Sequence, residues 1–122
     1  MPKLFQIILL FAVSMFAPVA IGACPDLTPY YQGNNADWPA LEQRLAGLMQ
    51  ECLESSEYFA LLGAAQLNSG NIAESLETLE RALLQDPDNG AAQIDYAQAL
   101  FVQGDLFAAL ELNRQLLRRD DL

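Results

Sequence analysis

A chain of 122 residues has room for one domain with a modest core and none for a second. Apolar residues make up 52% of it, which points to a packed fold over a disordered segment. Sixteen acidic side chains against six basic ones give a net charge of −10, which repels phosphate backbones and excludes nucleic acid as a partner.

Positions 1–23 have the form of a cleavable signal peptide. Lys3 supplies a positive start, Leu4 to Phe16 is almost unbroken apolar sequence, and Pro18 to Ala23 ends in small residues. An uncleaved membrane anchor is the alternative, since the apolar reach approaches the ~20 residues a span needs. Gln6, Ser14, Pro18 and the small-residue end favour cleavage and export to a periplasmic space. Cys24 then has two fates. Ala20-Ile21-Gly22-Ala23-Cys24 is similar to a bacterial lipobox, whose cysteine becomes lipid-modified and tethers the protein to a membrane. It has Ile21 where leucine is preferred, and it would leave Cys52 an odd thiol. In the other reading a general signal peptidase cuts after Gly22 or Ala23, and Cys24 pairs with Cys52 in an oxidising compartment. That bridge would restrict the unfolded chain by about 3–4 kcal/mol on the entropic model. With no histidine, two cysteines cannot complete a tetrahedral metal site, and no metal or other cofactor is expected.

Positions 24–36 form an irregular strap rich in turn residues: Pro25, Pro29, Gly33, Asn34 and Asn35. Within 37–55, Asp37 is an N-cap and the spacing predicts a helix from Trp38 to Leu53. Its apolar stripe of Leu41, Leu45, Leu48, Met49 and Cys52 turns Cys52 inward, within reach of the strap. Trp38 reads as a packing anchor. A helix from Ser56 to Ser69 follows. Gly70 ends it, and Asn71 with Glu74 has the spacing of a capping box that opens the next helix, Ile72 to Gln85. Asp86-Pro87-Asp88-Asn89 breaks the chain. Gly90 to Gln103 and Leu106 to Arg119 then repeat the two helices. Arg114, Arg118 and Arg119 are the basic last turn, complementing the helix dipole.

Shifting the sequence by thirty-four residues brings Leu62 onto Tyr96, Gly63 onto Ala97, Leu67 onto Phe101, Gly70 onto Gly104, Leu76 onto Leu110 and Leu83 onto Leu117. Asp37, Trp38, Leu45 and Leu48 fall one period ahead of Asn71, Ile72, Leu79 and Ala82, so 37–55 reads as a degenerate leading half-repeat. Ser56 to Asn89 resembles a tetratricopeptide repeat in residues as well as in length. Phe59 stands for the motif's tryptophan, and Leu62-Gly63 for its leucine-glycine pair. Gly70 stands for its turn, Ser75 for its small residue, Leu79 for its later aromatic, and Ala82 and Pro87 for its closing alanine and proline. Gln66 departs from the usual aromatic. The second unit, 90–122, matches at Tyr96, Ala97, Leu100, Gly104 and Ala109, and departs at Asn113 and Asp121. Gly63 and Ala97 are small so that paired helices can approach closely.

The resemblance implies an all-α fold of tandem antiparallel hairpins in a right-handed solenoid, with 56–89 and 90–122 as its two repeats. It also implies a partner groove lined by the first helix of each: Ala60, Ala64, Leu67 and Asn68, then Ile94, Asp95, Gln98 and Phe101. That groove lacks the basic clamp with which chaperone-binding members grip a carboxylate, so an apolar peptide or helix is the expected occupant. Leu67, Ile94 and Phe101 could instead be covered by adjacent structure. No nucleophile stands beside a base and no glycine-rich phosphate loop is present, so no enzyme is expected. The last repeat has no polar capping helix, leaving an apolar end to be covered. The expected function is a protein-interaction scaffold of the bacterial envelope. The alternatives are the adaptor portion of an outer-membrane barrel export protein, or an assembly factor lipid-anchored at Cys24.

Overall fold

A computed structural model describes residues 23–31 and 37–120; the leader up to Gly22, strap positions 32–36 and the last two residues lie outside the described residues. After a short 3-10 turn at Thr28–Tyr30 come five α-helices: α1 Trp38–Ala46, α2 Ser56–Asn68, α3 Ile72–Gln85, α4 Gly90–Gln103 and α5 Leu106–Asp120. No strand occurs among the described residues. α2 pairs with α3 and α4 with α5. α4 also packs across both helices of the first hairpin, while α1 packs on α2.

Both hairpins turn by the same chemistry, one period apart. The Gly70 and Asn71 amides donate to the carbonyls of Leu67 and Gln66 at 3.1 and 2.9 Å; those of Gly104 and Asp105 donate to Phe101 and Leu100 at 3.0 and 2.9 Å. This double bond closes a helix only when the residue after the cap is left-handed. Gly70 (φ 87°) and Gly104 (φ 96°) meet that requirement without a Cβ penalty. The N-caps repeat as well. Ser55 Oγ accepts from the Tyr58 amide and Asn89 Oδ1 from the Ala92 amide, both at 3.1 Å. Asp37 caps α1 through the Ala40 amide at 3.2 Å, and Asp105 caps α5 through Ala108 at 3.1 Å.

Asn71 breaks this pattern and corrects the expected capping box. Its side chain makes no capping bond; its amide nitrogen donates instead to both carboxylate oxygens of Glu42, at 2.9 and 3.1 Å, tying the start of α3 to α1. α1 is also shorter than its periodicity predicts, ending at Ala46 where a helix to Leu53 was expected. In a continuing helix the Leu45 carbonyl would accept from Met49. Here it accepts from the Leu48 amide at 2.9 Å and from the buried Tyr58 hydroxyl at 2.6 Å. Tight turns then carry the chain to Cys52, which is fully buried and joined to Cys24 by a disulfide.

The strap is held at several points. Leu27 is buried in the same core as Leu41, Leu45 and Phe59, the Arg44 guanidinium lies 4.9 Å from the Tyr30 ring centroid, and the Tyr31 hydroxyl donates to Glu57 at 2.9 Å. Thr28 donates to Asp26 through its amide and its hydroxyl, which holds the Asp26 carboxyl below its usual range.

The first hairpin is locked at its centre. A Cβ on Gly63 would fall 2.5 Å from Cγ of Leu79, itself fully buried, and the Ser75 hydroxyl donates to the Gly63 carbonyl at 2.8 Å. One period on, these three positions hold Ala97, Asn113 and Ala109. The hydroxyl bond and the leucine plug are both missing from the second hairpin.

Two outcomes follow from this packing. Gly63→Ala should cost about 1–3 kcal/mol, because the fully buried Leu79 would have to shift to admit the methyl group; an unchanged thermal midpoint would show that it can step aside. Reducing the Cys24–Cys52 bond should lower unfolding stability by roughly 3–4 kcal/mol in urea titrations with and without reductant, since it closes a loop across a separation of 28 residues. No change would mean that Leu27 and Tyr30 hold the strap unaided.

Candidate functional site

The eight residues expected to line one groove fall into three environments. Ala60, Ala64 and Asp95 meet in a small pocket of about 170 Å³ between the strap, α1, α2 and α4, together with Leu61, Tyr31 and Trp38. Ile94, Gln98 and Phe101 lie in a larger cleft of about 510 Å³ between α4 and α5, facing Leu106, Leu110 and Asn113. Leu67 and Asn68 line neither. Leu67 is buried in the core, and Asn68 turns its amide back onto the Ala64 carbonyl at 2.8 Å. The remaining expected groove positions thus line two concavities, which share no lining residue.

The larger cleft opens where the first hairpin is locked. Asn113 stands in the register position of Leu79 and lines the cleft that the leucine would have filled. Its rim is strongly apolar and uncovered. Leu67 is 7% exposed, while Phe101, one period later, is 63% exposed; Ala60 is 6% exposed and Ile94 64%. The difference comes from neighbours, because the first hairpin has α4 laid across it. On α5, Leu110 and Leu117 are likewise exposed. Burying side chains of this size is worth about 1.5–3 kcal/mol each, so the face carries a substantial drive for association.

Sequence reasoning did not place Leu106, Leu110 and Asn113 at a site. The departure of Asn113 from the repeat was the available signal, since a polar residue in a core register position leaves room beside it. Tyr31 was also missed as a pocket wall, because a strap without periodicity gives no direction for its side chains, and Trp38, at the start of α1, was read only as a packing anchor.

Electrostatics in the larger cleft is modest. Arg114 pairs with Glu111 on the exposed surface of α5 at 3.5 Å, a contact of small energetic weight. In the small pocket, desolvation raises the Asp95 carboxyl above its usual range. Among the described residues there is no cluster of His, Cys, Asp and Glu able to hold a metal, and no helix long and apolar enough to cross a membrane.

None of the curated proteins matches the chain. A family model for the tetratricopeptide repeat matches residues 55–122, the stretch holding both hairpins from the Ser55 cap onward. With the period, turns, caps and locked hairpin described above, this chain belongs to the tetratricopeptide repeat family, whose members are protein-interaction modules.

Proposed function

We propose that this chain is a non-catalytic scaffold of the bacterial cell envelope that offers the outer face of α4–α5 to an apolar amphipathic helix of a protein partner. The observation carrying this reading is the change in exposure across one period, from Leu67 to Phe101 and from Ala60 to Ile94. The chain itself supplies the model for the occupant. At the equivalent face one repeat earlier lies α4, which buries the small side chains Ala92 and Ala99. A partner helix with small apolar residues on one side meets the larger Ile94, Phe101 and Leu110 in the same manner.

Export to the periplasm is supported by the disulfide, which needs an oxidising compartment, and by the form of the leader. The bridge and lipid anchoring compete for one sulfur, so the lipid-anchored alternative requires Cys24 to be unpaired. In the barrel-adaptor alternative, the same face receives a segment of a longer polypeptide. On this reading positions 24–36 and 37–55 act as a stapled leading cap, followed by repeats at 56–89 and 90–122.

Appending an alanine-faced amphipathic helix after the second hairpin, on a linker copied from Asp86–Asn89, should raise the thermal midpoint and protect α4 and α5 from hydrogen exchange. Phe101→Glu with Leu110→Glu should abolish that gain. A midpoint that ignores the appended helix would sink the docking model. For localisation, the intact mass of protein recovered from an envelope fraction should start near Ala23 or Cys24, with both thiols blocked until reduction. Acyl mass on Cys24 with Cys52 free would overturn it.

A further inference from the structure

The repeat register isolates one side chain in the small pocket. Thirty-four residues after the buried Leu61, α4 carries Asp95, so a carboxylate stands where the period places an apolar group. Both residues line the same pocket, together with Tyr31, Trp38 and the small residues Ala60, Ala64 and Ala91 among the described residues. Asp95 has no ion-pair partner among the described residues. Arg44 and Arg81 are held over the rings of Tyr30 and Phe59, and Arg114 is with Glu111. The group joined to Tyr31 is Glu57, a charge of the same sign as Asp95. A half-desolvated carboxylate without a counter-ion is unfavourable, and its raised ionisation range agrees with that environment.

We propose that this pocket is a binding subsite for one cationic side chain, lysine or arginine, of a partner peptide, with the charge against Asp95 and the stem between Tyr31 and Trp38. Three features select that ligand. Anions are repelled by Asp95, by Glu57 and by the net charge of −10. A neutral apolar side chain would bury the carboxylate further without pairing it, which costs more than it gains. Aromatic faces attract a cation and bury an aliphatic stem, and alanines at three wall positions leave space for one side chain. The subsite is independent of the face on α4–α5, so either can fail alone.

Trp38 is the only tryptophan in the chain, so its fluorescence reports on this pocket without labelling. The disulfide-intact protein would be titrated with the blocked pentapeptide acetyl-Ala-Ala-Arg-Ala-Ala-amide and with versions carrying lysine, norleucine or glutamate at the centre. The expected result is a saturable change in Trp38 emission with the arginine and lysine peptides, at least about tenfold weaker with norleucine and absent with glutamate. Asp95→Asn should weaken the arginine peptide by about tenfold. Asp95→Leu, which restores the residue of the preceding repeat, should abolish the preference while keeping the helical circular dichroism. Norleucine binding as well as arginine, an Asp95→Asn protein that binds arginine normally, or no Trp38 response to either cationic peptide overturns the proposal.

Discussion

A two-helix hairpin can bury the seam between its own helices but not the broad face it turns to its neighbours, and the organisation of this chain follows from that constraint. The seam needs close approach. In the first hairpin Gly63 admits the Leu79 side chain, and Ser75 ties the two backbones together at the same level. The broad face needs cover, which α4 supplies by lying across α2 and α3. Ser56, Ala82 and Asn89 fix that junction: Asn89 donates to the Ser56 hydroxyl at 2.9 Å, which in turn donates to the Ala82 carbonyl at 2.8 Å. The residue that caps α4 therefore also docks it.

The two ends of the stack meet the same need differently. At the front, the described part of the strap is held by a covalent bond, a buried leucine and an arginine stacked on tyrosine. Covalent closure suits a short strap, because a few residues cannot bury enough apolar area to offset the entropy of ordering them. At the back, the second hairpin has exchanged its leucine plug for Asn113 and exposes Ile94, Phe101 and Leu110. The loss of the leucine plug and an exposed apolar face occur together there.

Local rules agree through most of the chain and conflict at a few residues, and both proposed sites lie at such conflicts. Asn113 in place of a core leucine opens the larger cleft. Asp95 in place of Leu61 puts a carboxylate into an apolar wall. A chain selected for stability alone would keep the apolar residue at both positions, since each polar replacement forgoes burial and leaves a group to be solvated.

The sequence by itself determined the helices and their order. The thirty-four-residue period gave their number and spacing, and the glycines at 70 and 104 and the Asp37 cap are local signals, each acting within one or two turns of backbone. They set α2, α3 and α4 to within a residue of their observed bounds. Only the tertiary structure decided matters that depend on groups distant along the chain. The Tyr58 hydroxyl takes the Leu45 carbonyl and ends α1 early, and Glu42 takes the Asn71 side chain away from its cap. Tyr31 of the strap and Trp38 of α1 come together with Ala60, Ala64 and Asp95 around one concavity. Periodicity reports which face of a helix is apolar; which apolar face finds a neighbour is settled only when the helices are laid against one another.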